Sequence, residues 1–325
     1  MGELSLLAKY QHFIAVDWGT SHLRAYLCLA EVGKPLIVLE QANNVGVKKI
    51  QTDFETTLMD SIAPWANRFG KLPILMIGQI GSSIGWKETQ YLACPISPQE
   101  VISAGTRFDS QGHQVTIFPG LSCQLYNQLH DSMRGEEFHL LGWLAMAPQH
   151  LVGRHLVCLP GTHTKWVLIE EGKVILFKTA LTGELYDLLS SNSVLIQEKV
   201  SDLEFDFGAF IEGADFILSS TNDNFYHGLY SVRSKQLFED FSTKQAHAYL
   251  SGLLIGSDVR AAISAQEWQL TELESVAIIG PPHLSQCFVE VLHHCNINTT
   301  LWDVTDATLA GFNVVYQHAH HSTDE

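Results

Sequence analysis

Apolar runs of strand length alternate along this chain with stretches of helical period. Strand-like runs at 13–18, 23–30 and 36–41 precede a helical pattern over 53–69 and then a fully apolar run at 73–78. The order returns later. A second group of three strand-like segments spans 155–180, helical patterns follow near 182–197, 207–221 and 244–265, and strands close the series at 276–280 and near 297–303. Between the halves an apolar-periodic stretch over 138–147 predicts a helix. Near-continuous apolar strands interleaved with helices predict an α/β protein with mixed sheets flanked by helices on both faces.

In each three-strand group a Gly-Thr turn joins the first two strands. The first reads Asp17-Trp-Gly19-Thr20-Ser21 and the second Pro160-Gly161-Thr162-His163-Thr164-Lys165. Glycine permits close backbone approach, and successive N–H groups in such a turn form a concave anion site to which hydroxyls add donors. A single turn of this kind is ordinary hairpin chemistry. Two at equivalent points of two halves suggest a bilobal phosphate clamp. Another glycine-rich segment, Gly78-Gln-Ile-Gly81-Ser82-Ser83-Ile-Gly85-Trp86-Lys87, follows a buried strand, where open α/β sheets bind ligands. It has neither the ending of a P-loop nor the spacing of a dinucleotide fingerprint.

Composition narrows the partners. With 325 residues, 46% hydrophobic and 17% charged, the chain is long enough for two domains with full cores. Its formal net charge of −16 argues against a general nucleic-acid or anionic-membrane surface, so an anionic ligand must be held by a few local donors. No apolar stretch reaches the length of a membrane span and no basic-then-apolar leader opens the chain, which predicts a cytoplasmic protein. The six cysteines form no Cys-x-x-Cys pair and read as reduced core residues. His318, His320 and His321 cluster in a polar tail expected to be disordered, where adventitious metal binding is the competing reading.

The two turns, together with Gly81-Ser-Ser-Ile-Gly-Trp86-Lys, Tyr91-Leu-Ala-Cys-Pro95, Ile117-Phe-Pro-Gly120, Met133-Arg-Gly-Glu-Glu137, Thr182-Gly-Glu-Leu185 and Ser251-Gly-Leu-Leu-Ile-Gly256, resemble the 2-dehydro-3-deoxygalactonokinase family. The match runs in order over roughly residues 12 to 315. That family lies within the superfamily of sugar kinases, Hsp70 and actin. The resemblance implies two actin-like (ribonuclease H-like) domains with the active site in the interdomain cleft, closing over ATP and substrate. It implies ATP-dependent phosphorylation of the 6-hydroxyl of 2-dehydro-3-deoxy-D-galactonate, in galactonate catabolism. The expected domains are 1–134, with the first phosphate turn and the substrate loop, and 135–325, with an interdomain helix, the second turn and the nucleotide segment at Gly280.

The resemblance also implies roles. Asp17 holds Mg²⁺ through water, or merely forms the strand-end turn; Gly19, Thr20 and Ser21 meet the terminal phosphates of ATP. Gly161, Thr162 and His163 approach them from the other half, unless His163 only fills its turn. Glu136, which opens the helix between the halves, is the expected general base, with Glu137 its competitor. Arg24, Lys87 and Arg134 are candidates for the substrate carboxylate, Arg offering bidentate geometry, although Lys87 can equally be a solvated surface charge. Ser82, Ser83 and Trp86 belong to the substrate loop, and core packing explains Trp86 about as well. The family pattern has Asn where this chain has His22 and Ser83, and differs after Gly280, where this chain runs Pro-Pro-His283, which puts nucleotide preference and the sugar acid in doubt. The partners implied are a small sugar acid and ATP, and a homodimer stays open. Two other classes compete: a phosphohydrolase on the same fold, which would need a basic channel for a long polyanion, and a non-catalytic nucleotide-binding actin-like module, which would need neither Glu136 nor the substrate loop.

Overall fold

The computed structural model describes residues 7–126, 128–196, 205–219, 225–268 and 275–321. In chain order the elements are β1 His12–Trp18, β2 His22–Leu29, β3 Ile37–Val45, α1 Phe54–Phe69, β4 Ile74–Ile77, β5 Tyr91–Ala93, α2 Pro98–Ser103, β6 Thr106–Ser110, β7 His113–Ile117, β8 Gly120–Gln124, β9 His130–Met133 and α3 Glu136–Met146. There follow β10 Arg154–Leu159, β11 Thr164–Glu170, β12 Lys173–Ala180, α4 Thr182–Asn192, α5 Phe207–Leu218, α6 Phe225–Phe238, α7 Thr243–Ile263, β13 Ser275–Gly280, α8 Pro282–His294, β14 Asn298–Asp303 and α9 Val304–His321. The chain forms two compact units. One comprises residues up to Arg154, Ile169–Leu176 and everything from Trp302 on; the other comprises His155–Leu168 and Phe177–Leu301.

The first unit is built on a six-stranded sheet in the order β3-β2-β1-β4-β7-β6. Its middle strands β1, β4 and β7 run parallel, and β2 and β6 pair antiparallel to their neighbours. Covered faces demand continuous apolar sequence, and Phe13, Ile14, Ala15 and Val16 are all fully buried. Helix α1 seats Leu58, Ile62 and Trp65 on the same core as Val16 and Met76. Burying a side chain of this size contributes roughly 1.5–3 kcal/mol each. The helix starts where the sequence says it should, because Asp53 Oδ1 accepts from the Thr56 N–H at 2.7 Å, and it stops at Gly70. A smaller sheet, β5-β8-β9, carries the chain toward α3.

Helix α9 returns to this unit and packs along α3. The crossing depends on the absence of two side chains. A Cβ at Gly142 would lie 1.7 Å from the Ala307 carbonyl oxygen, and one at Gly311 would lie 2.4 Å from that of Phe138. The histidine-bearing tail therefore differs from its expectation. It is helical through His321, because Phe312, Val315, Tyr316 and Ala319 bury one face at helical spacing, and residues 322–325 lie outside the described set. His320 Nδ1 lies 3.0 Å from the Tyr316 carbonyl oxygen, and among the described residues no His/Cys/Asp/Glu group could hold a metal ion.

In the second unit a sheet in the order β12-β11-β10-β13-β14 pairs β10 with β13 in parallel, Val157 opposite Ala277. Helices α5 and α7 pack on each other through glycines: a Cβ at Gly252 would lie 1.9 Å from the Phe210 carbonyl oxygen. The expected helices over 182–197, 207–221 and 244–265 appear as α4, α5 and α7, with residues 197, 220 and 221 outside the described set. All six cysteines are free thiols, and no described helix is long and apolar enough to cross a membrane.

The α3–α9 crossing makes a stability prediction. Gly142→Val should destabilise the protein by about 3 kcal/mol or more, because a rigid backbone carbonyl rather than a mobile side chain occupies the space. Denaturant unfolding of the variant beside the wild type measures it; an unchanged midpoint would show that the helices are not in contact there.

Candidate active site

In the first unit, Asp17 is the penultimate residue of β1, with its register partner Ile77 on β4. The residue after Ile77 is Gly78, held at φ +93°, where a Cβ would lie 2.7 Å from the Trp18 carbonyl oxygen and 3.4 Å from Asp17 Oδ1. Only glycine leaves that space open. Gly135, at φ +107°, approaches so closely that its Cβ would lie 3.4 Å from Gly78 Cα. Two side-chain-free positions thus let the start of α3 come up against the carboxyl ends of β1 and β4, bringing the Arg134-Gly-Glu-Glu137 turn beside Asp17.

Asp17 pairs with Arg24, its antiparallel register partner on β2, whose Nη1 lies 3.2 Å from Oδ2. Burial pushes the Asp17 carboxyl up, and the Arg24 guanidinium pulls it back. Arg24 remains half exposed, so it can turn to a ligand. The neighbouring His139 on α3 is pushed down to about 4, first by burial and then by the Arg24 charge, and so stays neutral.

The two glutamates of α3 separate in character. Glu136 is half-buried, and its Oε2 accepts from the Arg134 N–H at 2.9 Å. Glu137 is fully buried, with Oε2 accepting from the Gly135 N–H at 2.7 Å. Its other oxygen, Oε1, is buried with no hydrogen-bond partner among the described residues. Burial, reinforced by the Glu136 charge, pushes the Glu137 carboxyl up to about 8. Glu137 therefore keeps its proton at neutral pH.

The first Gly-Thr turn closes with the Gly19 N–H donating to the His22 carbonyl at 2.9 Å. The segment 46–48 braces it, its N–H groups donating to the carbonyls of Gly19, Thr20 and Ser21. Thr20 is half-buried and Ser21 exposed, so both hydroxyls stay open to a ligand. In the glycine-rich loop Ser82 is buried and its Oγ donates to the Gln79 carbonyl at 2.7 Å, whereas Ser83 is exposed. Trp86 stands edge-on to Phe108 at 5.0 Å and joins the core, and the exposed Lys87 lays its ammonium 4.6 Å from the same ring.

Arg134 is 6% exposed and engaged on several sides. It donates from Nη1 to Thr89 Oγ1 and from Nη2 to the Thr89 carbonyl at 2.9 Å, and its guanidinium stacks 4.2 Å from the centroid of the Tyr91 ring. The Thr89 N–H in turn donates to the Gly81 carbonyl. This arrangement suits a residue that holds the loop to the start of α3.

The second unit presents the other turn. Thr162 and His163 are exposed at its tip, and His163 Nε2 lies 2.5 Å from Glu184 Oε2. The α4 start is fixed to the turn, since the Glu184 N–H donates to the Thr162 carbonyl at 2.9 Å. A Cβ at Gly183 would lie 2.5 Å from the Gly161 carbonyl oxygen. Asp258 on α7 accepts from Thr182 Oγ1 at 2.5 Å and from Trp166 Nε1 at 2.8 Å, so both strand and helix are tied to one buried carboxyl. Beside the turn opens a pocket of about 190 Å³ lined by Gly161, Thr182, Tyr186, Phe205, His283 and Cys287, among others. Gly280, at the end of β13, packs against Ser285 and Pro160, carrying the chain into the His283 wall.

Sequence reasoning missed several of these. Tyr186 and Phe205 line the pocket from places far apart in sequence, and no local pattern links them; Ser251, also in its wall, opened a quoted motif without a role. Glu184 stood within a quoted motif without a role, and its place three residues after Leu181, at a helix start, was the available signal.

The family model described as 2-keto-3-deoxy-galactonokinase matches residues 17–315. A probable 2-dehydro-3-deoxygalactonokinase of Rhizobium meliloti is 32% identical over 308 residues, 93% of this chain and 95% of that one. The 2-dehydro-3-deoxygalactonokinase of Escherichia coli is 33% identical over 248 residues, 76% of this chain and 79% of that one. A crystal structure of a Sinorhizobium meliloti protein assigned to the same enzymes superposes with a TM-score of 0.83 at 29% identity, covering 94% and 98% of the two chains. Component A of the (R)-2-hydroxyglutaryl-CoA dehydratase of Acidaminococcus fermentans, at 11% identity and a TM-score of 0.50, covers 95% of this chain and 99% of its own and shares the fold alone. The fold is the actin-like one expected.

The buried proton on Glu137 makes a pH prediction. Unfolded, this carboxyl ionises near the ordinary value of 4.5; folded, it keeps its proton to about 8. Between those values the folded state binds more protons, so the contribution of Glu137 to stability falls as pH rises through that window and then levels. Glu137→Gln cannot ionise. Chemical denaturation at pH 5.5 and pH 8 should show the wild type losing stability relative to the variant, and a constant difference would place the proton elsewhere.

Proposed function

The chain belongs to the 2-keto-3-deoxy-galactonokinase family, and from that premise we propose that it transfers the terminal phosphoryl group of ATP to the 6-hydroxyl of 2-dehydro-3-deoxy-D-galactonate, in galactonate catabolism. The observation that carries the reading is the meeting of Asp17, Gly78 and the Gly135-Glu136 turn in one place.

Glu136 is the general base. Glu137 holds its proton at neutral pH and so cannot accept another, whereas Glu136 is the half-buried carboxylate of the pair. Its task is to take the proton of the attacking hydroxyl. The substrate carboxylate falls to Arg24 and the exposed Lys87, and Arg134, with its donors on Thr89 and Tyr91, positions the loop that carries Ser82, Ser83 and Trp86. Thr20 and Ser21 supply hydroxyl donors to the phosphates, with Gly19 shaping the turn.

One carboxylate on a rigid strand end, with no side chain at Gly78 to fill the space beside it, fits Mg²⁺ held mostly by water and phosphate oxygens. When bound, the ion would neutralise charge on the phosphates, and Asp17 would hold it through water. In the second unit Gly161, Thr162 and His163 serve the phosphates, and the pocket beside Gly161 takes the adenine between Tyr186, Phe205 and His283. On this reading residues 1–134 carry the first phosphate turn and the substrate loop, and 135–325 carry Glu136, the second turn and the nucleotide segment at Gly280. ATP as donor supports a cytoplasmic reaction, and the −16 charge supports small anions rather than nucleic acid as partners.

A coupled ADP-release assay across 2-keto-3-deoxy sugar acids, parent aldonates and hexoses tests the reading. We expect turnover on 2-dehydro-3-deoxy-D-galactonate, and a fall in kcat of about 10²–10⁴ in Glu136→Gln with ATP affinity kept. Retained turnover in that variant would transfer the base to another group. ATP binding without turnover on any sugar acid would favour the non-catalytic module.

A further inference from the structure

We propose that Glu184 is a positioning residue for phosphate binding, acting through His163 as a carboxylate–imidazole couple on the second Gly-Thr turn. The inference rests on the nucleotide reading of that turn and assigns a role to a residue which that reading leaves idle.

The geometry is specific. The His163 and Glu184 side chains are 44% and 45% exposed, yet Nε2 and Oε2 lie 2.5 Å apart. Surface ion pairs of flexible side chains contribute little, chiefly because two long chains must be ordered to make them. Here the ordering is already done by the backbone. The Glu184 N–H is tied to the Thr162 carbonyl, Gly183 is pressed against the Gly161 carbonyl, and Thr182 is anchored on the buried Asp258. Turn and helix start are one rigid piece, and the couple spans it.

The chemistry follows from which nitrogen is engaged. With Glu184 accepting from Nε2–H, the ring is held on that side and Nδ1 is the nitrogen left for a ligand at the exposed tip of the turn. In the imidazolium form both nitrogens donate, one to Glu184 and the other outward. A phosphoryl oxygen approaching Gly161 and Thr162 then meets a charge-assisted donor that cannot swing away. A bare carboxylate beside the phosphate turn would repel an anion; bonded to the His163 ring at 2.5 Å, the Glu184 carboxylate is spent on orienting that ring instead.

The probes are ADP, inorganic tripolyphosphate and adenosine, titrated calorimetrically against the full chain and its Glu184→Ala, Glu184→Asp, His163→Asn and doubly substituted variants. We expect Glu184→Ala and His163→Asn each to weaken ADP and tripolyphosphate by about tenfold, the double variant to be no weaker than either, and adenosine to bind all of them alike. Glu184→Asp should recover part of the loss. The assigned ring nitrogens of His163 should shift on adding ADP to the wild type, and less in Glu184→Ala. Tighter ADP binding in Glu184→Ala would show that the carboxylate merely repels phosphate, and would overturn the proposal. Additive losses, or an equal loss of adenosine, would overturn it too, by making the effect two separate contacts or a distorted pocket. If wild-type protein binds none of the three, the nucleotide reading itself fails; binding without sugar-acid turnover fails only the kinase reading and leaves the couple standing.

Discussion

The approach of three backbones at the carboxyl ends of β1 and β4 is the constraint on which the first unit depends. Gly78 must be glycine because a Cβ would strike the Trp18 carbonyl, and Gly135 must be glycine to lie against Gly78 with a positive φ. A side chain at either place would push the start of α3 away and move its glutamates with it. The core serves this contact. Parallel β1 and β4, buried on both faces, fix Asp17 and Gly78 in register, and α3 is held from behind by α9 at a crossing that also tolerates no Cβ.

That contact creates an electrostatic problem, and the structure solves it by unequal burial. Two adjacent carboxylates at one helix start repel each other, although the helix dipole favours each. Sinking Glu137 out of water makes its charged form costly, so Glu137 keeps its proton at neutral pH. The same logic governs His139, half-buried near Arg24, where desolvation and the Arg24 charge push its pKa down to about 4. A formally very acidic chain thus carries less negative charge in this region than its composition implies.

How much of this was legible in the sequence depended on whether the signal was local. The strand and helix order was legible because apolar runs and helical periods are properties of short windows, and α1 even carries its cap, Asp53, and its stop, Gly70. Asp17, Glu136 and the two turns were legible as motifs. The placement of Arg134 was not, because its partners Thr89 and Tyr91 lie over forty positions away and nothing in Arg-Gly-Glu-Glu tells a buried guanidinium from one facing a ligand. The terminal histidines misled for the opposite reason. Polar composition suggested a loose tail, while Phe312, Val315, Tyr316 and Ala319 already traced a buried helical stripe.

The two units use one device with different hardware. In each, a Gly-Thr turn between antiparallel strands is made rigid by a second segment that crowds it without a side chain: 46–48 against the first turn, where a Cβ at Gly46 would lie 2.3 Å from Ser21 carbonyl carbon, and Gly183 against the second. Rigid donors lose no freedom when an anion arrives, so turns braced in this way suit the phosphate role proposed for them in a chain of net charge −16. The difference lies in what the brace brings. The first turn is backed by a loop, and its charge partner is Asp17 with Arg24 at the strand end. The second is backed by a helix start whose own glutamate reaches back to the turn, so only there does the brace add a side chain to the chemistry.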